Sequence, residues 1–316
     1  MKGFVMDGKL NITLLAGGIS AERDVSLNTG AQIHKALVEA GHHVVMSDIG
    51  PDNLSALDRL CDLVFPALHG TWGEDGGLQT ILEKRGVPFV GSGSAASRMG
   101  FDKAATKSAL LEHNIPTANW QVVYSHKFKD NWTPAAGIGY PCVLKPVCEG
   151  SSVGVKICHN LQEAIGHLRA MFEKKYNAML VEQFIDGHEL TVGILDGKPL
   201  PVIRIVPNAT FYDYEAKYHR DDTNYEFNIE LPARVIEDVS RVAEMTHRYV
   251  GARHLSRIDV LVDKHSLAPY VLEINTMPGF TTHSLVPKAA QKAGISFVEL
   301  CDRLARMALR DAKVML

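Results

Sequence analysis

The sequence is short of several things, and each shortage excludes a class of protein. Its five cysteines, Cys61, Cys142, Cys148, Cys158 and Cys301, include no Cys-x-x-Cys pair. An odd, scattered set of that kind argues against a disulfide framework or a zinc site and for a reducing compartment. No charge of one sign dominates: 33 Lys+Arg stand against 36 Asp+Glu, a formal net charge of −3. That balance leaves no electrostatic footprint for nucleic acid. Long apolar runs are missing, and stretches such as 63–68 are far too short to span a membrane. Near the start, Asp7 and Lys9 interrupt any secretory apolar segment. The expectation is a cytoplasmic protein with neither a membrane nor a nucleic-acid partner. What is present is ordinary globular material: 316 residues, 46% hydrophobic and 22% charged. That suffices for two or three domains with packed cores.

Along the chain, the first third alternates short apolar runs with helical patterns. Strands are predicted at 10–16, 43–47, 62–67 and 87–90, with helices from an Asp24 cap to about residue 40 and over 77–84. Strands spaced by helices imply βαβ units, so this part reads as a doubly wound parallel sheet, closing near Gly91-Ser92-Gly93. From Phe101 the rhythm changes to α+β. A helix is predicted at 102–113, strands at 120–124, 141–145, 153–157 and 178–184, and a helix at 161–174. The last third carries strands at 190–195, 200–205, 255–262 and 269–275, a helix at 232–250 and two C-terminal helices. The segment 211–225 is polar and aperiodic, either a lid or a plain surface loop.

The strongest local signal is the last strand pair. Side chains alternate across a strand, so Arg257 and Asp259 share one face, as do Glu273 and Asn275. Paired through a short turn, the strands would gather Arg, Asp, Glu and Asn on one face. Three oxygen donors of that kind suit Mg²⁺, held also by phosphate oxygens, and a guanidinium beside them suits an anionic substrate. The bland reading is an exposed polar sheet face. It is opposed by the apolar neighbours Val260, Leu261 and Leu272.

Other groups are open on spacing alone. The loop Glu149-Gly150-Ser151-Ser152-Val153-Gly154 could cradle phosphate with its amides or be a flexible hairpin tip. Lys145, beside Val143 and Leu144 on the strand entering that loop, needs an anionic partner. Lys103, taken alone, reads as a solvated charge, and Glu182 and Glu189 as solvent-facing carboxylates. Gly17-Gly18-Ile19-Ser20-Ala21-Glu22 follows the first strand like a dinucleotide loop, yet lacks the third glycine. His69 sits in a loop at the same sheet edge, where a structural role and a ligand-binding role are equally open. Finally, Thr276-Met277-Pro278-Gly279 leads to Thr281-Thr282-His283-Ser284, offering backbone donors for an oxyanion or carboxylate.

Together, GGISAERDVS (17–26), HGTWGEDGGLQ (69–79), KP with EGSSVG (145–154), FYDYEAKY (211–218), SRID (256–259) and EINTMPGFTTHSLVP (273–287) resemble the D-alanine–D-alanine ligase family of the ATP-grasp superfamily. Spread in order over nearly the whole chain, they are far more specific jointly than singly. The resemblance implies an N-terminal Rossmann-like domain (1–95) and a two-part ATP-grasp fold, central (96–186) and C-terminal (187–316), with nucleotide between the two parts. It implies ATP-dependent joining of two D-alanines through an acylphosphate, for peptidoglycan precursors. The implied cofactors are ATP and two Mg²⁺ ions, with Mn²⁺ as a substitute, and the implied assembly is a homodimer.

Position by position, the resemblance implies that Lys103 and Lys145 hold phosphates, covered by Ser151 and Ser152. Glu182 and Glu189 would bind adenine and ribose, with Gln183 and Ile185 lining the adenine pocket. Asp259, Glu273 and Asn275 would be metal ligands, and Arg257 with the Gly279 amide would stabilise the oxyanion. Glu22 would take the first D-alanine's ammonium, Ser284 and the Leu285 backbone the second's carboxylate, and His69 would lie near the second amine. Tyr218 would be the lid tyrosine bonding toward Ser151 and Glu22, with Lys217 reaching phosphate. Ser256 stands where relatives often have Gly, a departure that removes no functional group. A tyrosine at position 218 predicts dipeptide rather than D-alanyl-D-lactate as product. The runner-up is another ATP-grasp carboxylate–amine ligase. A nicotinamide oxidoreductase and a non-catalytic nucleotide-binding regulator are readings from other classes.

Overall fold

The computed structural model describes residues 8–150, 153–206 and 224–314. Two of its N-terminal strands, Asn11–Gly17 and Leu63–Pro66, are apolar nearly throughout, as strands covered on both faces must be, while the edge strand His43–Ile49 is only partly buried. Strand β1 (Asn11–Gly17) is buried from Ile12 onward. It lies between β2 (His43–Ile49) and β3 (Leu63–Pro66), both parallel to it. A parallel bridge between Val64 and Phe89 is all that forms of the strand predicted at 87–90. Helices α1 (Arg23–Glu39) and α2 (Gly77–Lys84) follow β1 and β3. Asp24 is not the cap of α1: it lies in the first turn, and Glu22 occupies the cap position without a side-chain cap bond. A carboxylate in the first turn favours the helix dipole without capping.

One helix was not expected. Helix α3 (Ser94–Phe101) precedes α4 (Lys103–Glu112), and Asp102 separates them. Asp102 caps α4 by accepting from the Ala105 amide at 2.9 Å. The start of α3 is capped from a distance, Glu83 of α2 accepting from the Ser94 amide (2.8 Å) and hydroxyl (2.5 Å). Local sequence cannot display a cap that another helix supplies.

The central unit is an antiparallel sheet of β4 (Trp120–Tyr124), β5 (Cys142–Pro146), β6 (Lys156–Cys158) and β7 (Ala178–Gln183), in the order β4-β7-β5-β6. Helix α5 (Leu161–Glu173) packs on it through Ala164, Leu168 and Met171. The third sheet is also antiparallel. Its strands are β8 (Gly187–Leu195), β9 (Lys198–Pro199), β10 (Ile203–Val206), β11 (Asn224–Glu226), β12 (Leu255–Asp263) and β13 (Pro269–Asn275). The order is β11-β10-β8-β12-β13, with β9 paired to β8. The strand expected at 200–205 forms only from Ile203 onward, because Pro201 has no N–H for a ladder. Helix α6 (Ala233–Val250) covers this sheet with Val235, Val239, Val242 and Val250, and Gly251 ends it in the left-handed region.

Helix α7 (Leu285–Lys292) packs on β8 of the C-terminal sheet, and α8 (Phe297–Val314), which follows it, packs on α1 and β3 of the N-terminal unit. One core cluster therefore contains Leu14, Ile33 and Phe65 together with Leu255, Phe280 and Leu304. Two buried histidines fasten the same joint. His42 Nδ1 accepts from the Leu10 amide and its Nε2 meets Asp302 at 2.7 Å. His254 Nδ1 accepts from the Gly91 amide and its Nε2 meets Asp311 at 3.1 Å.

Candidate functional site

Strands β12 and β13 pair antiparallel, with Arg257 opposite Asn275 and Asp259 opposite Glu273. Directly opposed residues share a face, so the four side chains stand together. Asp259 is 5% exposed. Arg257 grips it with two bonds, Nε to Oδ1 at 2.9 Å and Nη2 to Oδ2 at 2.8 Å. The Thr191 hydroxyl of β8 donates to Oδ1 at 2.6 Å. An ionised carboxylate has about four lone-pair sites, so an acceptor position on Asp259 remains for a cation. Asn275 Oδ1 accepts from the Met277 amide at 2.9 Å, which sets the carboxamide. Lys103, at the start of α4, approaches Glu273 to 3.7 Å and also donates to the Glu149 carbonyl. Burial pulls the Lys103 ammonium below the ordinary lysine range, against the pull of Glu273.

On this face two cavities meet. One, of about 450 Å³, lies between the central and C-terminal sheets, lined by Val143, Lys145, Glu182, Gln183 and Ile185 on one side and by Glu189, Leu261, Tyr270 and Leu272 on the other. The second, of about 630 Å³, reaches the N-terminal loops and takes in Glu22, His69, Arg257, Asn275, Gly279, Ser284 and Leu285. Lys103, Glu149, Asp259 and Glu273 line both. Every described residue to which the resemblance gives a site role thus borders one cavity or the other. Ser151, Ser152, Lys217 and Tyr218 lie outside the described residues.

The first cavity holds a surprise at Glu182. Solvent-facing on spacing alone, its carboxylate is instead buried and paired on one oxygen with Lys145 and on the other with Lys107, each at 2.6 Å. Burial opposes the charge on Glu182, but Lys145 and Lys107 outweigh it and hold the carboxyl below its usual range. Lys107 had no place in the sequence reading. A signal existed: it follows Lys103 by four residues on α4 and so shares its face. Thr191 was also missed, because only the register of β8 against β12 brings it opposite Asp259.

In the second cavity His69 is buried between Glu74 Oε1 (3.1 Å from Nδ1) and the Thr29 hydroxyl (3.2 Å from Nε2). Burial pushes the Glu74 carboxyl above its usual range, with His69 opposing and Glu22 adding to the rise. Glu22 lies against the same turn: a Cβ on Gly70 would stand 2.9 Å from its Oε2. Ser284 caps the start of α7 in position, its hydroxyl accepting from the Thr281 amide at 3.0 Å. That hydroxyl is 3.4 Å from where a Cβ on Gly279 would be, which joins the 279–284 loop into one edge.

Family models described as D-ala D-ala ligase C-terminus and N-terminus match residues 110–306 and 50–92. The chain is 42% identical over 294 residues to a D-alanine--D-alanine ligase of Syntrophotalea carbinolica, covering 93% of this chain and 94% of that protein. The chain belongs to the D-alanine–D-alanine ligase family. A second member, from Anaeromyxobacter dehalogenans, is 40% identical over 300 residues, covering 93% of this chain and 95% of its own length. Among solved structures, the Bacillus anthracis D-alanine--D-alanine ligase complexed with ATP superposes with a TM-score of 0.84 at 32% identity. That match covers 97% of this chain and all of the other. The two antiparallel sheets flanking the 450 Å³ cavity are accordingly the two halves of an ATP-grasp fold, behind a parallel-sheet N-terminal unit. The nicotinamide reading of the first glycine loop falls with this assignment.

Proposed function

We propose that the chain joins two D-alanine molecules into D-alanyl-D-alanine with ATP, releasing ADP and phosphate. The observation that carries this reading is the meeting of two cavities at Lys103, Asp259 and Glu273. A nucleotide in the first brings its phosphates to the rim of the second, where an amino acid can sit. The carboxylate of the first D-alanine attacks the γ-phosphorus, and the bond to ADP breaks. The amine of the second D-alanine then attacks that acyl carbon, and phosphate leaves.

Each step sets like charges together, so the residues' task is neutralisation and alignment. Lys103 and Lys145 hold phosphate oxygens, Gln183 and Ile185 line the base, and Glu189 serves the ribose. Glu22 takes the first ammonium. Arg257 and the Gly279 amide face the oxyanion. Ser284 and the Leu285 backbone hold the second carboxylate, and His69 lies where its amine must lose a proton. Ser151, Ser152, Lys217 and Tyr218 complete this assignment as covering residues.

Asp259, Glu273 and Asn275 fit Mg²⁺ or Mn²⁺. They are oxygen donors on one sheet face, and too few to complete a shell unaided, as suits ions that arrive with phosphate. Bound there, the ions would neutralise the transferring phosphoryl group. Two ions, a homodimeric assembly, a cytoplasmic setting and supply of cell-wall precursors belong to the same proposal. Among the described residues no helix is long and apolar enough to cross a membrane.

The test is phosphate release with ATP and Mg²⁺ against D-alanine, L-alanine, and D-alanine plus D-lactate, with products weighed by mass spectrometry. The expected result is D-alanine-dependent release with dipeptide as product in all D-alanine mixtures. Release with no mixture, or equal release with L-alanine, contradicts the proposal.

A further inference from the structure

Lys107 lies behind the nucleotide cavity, where no ligand can touch it. It is 1% exposed and does not line either cavity. An ammonium has three protons to place, and three acceptors surround this one. They are Glu182 Oε1 at 2.6 Å, Thr117 Oγ1 at 2.5 Å and the Ala118 carbonyl at 3.3 Å. Thr117 passes the connection on by donating to the Val271 carbonyl of β13 at 2.8 Å. Lys107 therefore sits where the two nucleotide-flanking sheets are tied together, with Glu182 on β7 and Val271 on β13.

Its charge has a second consequence. Glu182 is one anion shared between two ammoniums, Lys107 behind and Lys145 at the cavity wall. The buried trio carries a net +1. Without Lys107, Glu182 and Lys145 would cancel, and that pair would present no net charge to a polyanion. We infer that Lys107 is a positioning residue for the nucleotide's phosphates, acting through Glu182 to fix Lys145 and to keep its charge uncompensated. The inference deepens the proposed function and rests on its placing of phosphate beside Lys145. It also reassigns Glu182 from an adenine contact to the link in this relay.

The experiment separates phosphate recognition from base recognition. Binding of ATP and of adenosine to the full-length protein is measured by calorimetry for the wild type, Lys107→Met and Lys107→Arg. Lys107→Met should weaken ATP by about tenfold or more, the scale of a lost charged hydrogen bond, while adenosine stays within about twofold. Lys107→Arg, which keeps the charge, should recover much of the ATP affinity. The double variant Lys107→Met/Glu182→Gln leaves Lys145 uncompensated again and should bind ATP more tightly than Lys107→Met alone. It also removes the buried carboxylate oxygen that has lost its Lys107 partner, so it serves if the single variant fails to fold. Equal weakening of ATP and adenosine overturns the inference, and so does a lowered Tm with both affinities unchanged. A double variant no better than Lys107→Met likewise overturns it. None of these measurements uses D-alanine, so a failed amino-acid assignment and a failed role for Lys107 are told apart.

Discussion

The two cavities that meet at Lys103, Asp259 and Glu273 are built in different ways. The nucleotide side is walled by strands of two sheets, and its charges are buried and paired, Glu182 between Lys145 and Lys107. The amino-acid side is assembled from loops that follow β1, β3 and β13, and its polar groups, His69, Glu74 and Ser284, bond within those loops. Strands hold a preformed charge pattern, which suits a polyphosphate of fixed geometry. Loops anchored at three separate strands can be altered one at a time, which suits a site that must choose among small amino acids. The shared wall belongs to both, and there the chemistry is placed.

Substitutions can break this division or sharpen it. The largest effect is expected at the shared wall. Arg257→Ala should lower kcat about 10²–10³-fold, the usual cost of one oxyanion donor, while the KM for ATP changes little. Steady-state kinetics with ATP and D-alanine varied separately checks it, and wild-type-like turnover would remove Arg257 from the mechanism. Glu273→Gln should raise the Mg²⁺ concentration for half-maximal rate at least about tenfold, read by metal titration of phosphate release. An unchanged metal requirement would put the ion elsewhere.

His69→Asn tests whether the cavities are separable. It should raise the KM for the second D-alanine about tenfold, the scale of one lost charged contact, and leave the KM for ATP unchanged. A shift in ATP alone would reverse the assignment of the two sides.

The smallest effect concerns stability rather than turnover. Burial, with further contributions from Arg253 and His254, holds the His254 and His247 imidazoles down at about 4, against an ordinary 6.5. Both are therefore neutral in the folded protein where the unfolded chain would take protons. The stability they contribute is complete above about pH 6.5 and is lost as pH falls toward about 4. Tm should drop across that window, and His247→Gln should make the drop shallower. A Tm that is flat from pH 6.5 to 4 contradicts the placement of both histidines.

Legibility in the sequence followed the same division. Strand pairing could be read because alternation puts Arg257 with Asp259 and Glu273 with Asn275, and the register confirms that they share a face. Most elements also lay near their predicted bounds, since apolar runs and Gly or Pro stops are local signals. What could not be read depended on tertiary partners. Helix α3 is capped by Glu83 of another helix. Thr191 reaches Asp259 only through strand register, and Glu182 meets Lys107 and Lys145 rather than solvent only because three elements converge. A lone Lys or Glu looks solvated in sequence, and its partner is what makes burial affordable.

The most direct test of the shared wall follows an oxygen atom. D-Alanine labelled with ¹⁸O in both carboxylate positions is turned over with ATP and Mg²⁺, and the released phosphate is analysed by mass spectrometry. Transfer of the γ-phosphoryl group to the carboxylate at Lys103, Asp259 and Glu273 requires one ¹⁸O in each phosphate. Unlabelled phosphate would mean that water, not D-alanine, attacks the nucleotide, and would contradict the joining of the two cavities in one reaction.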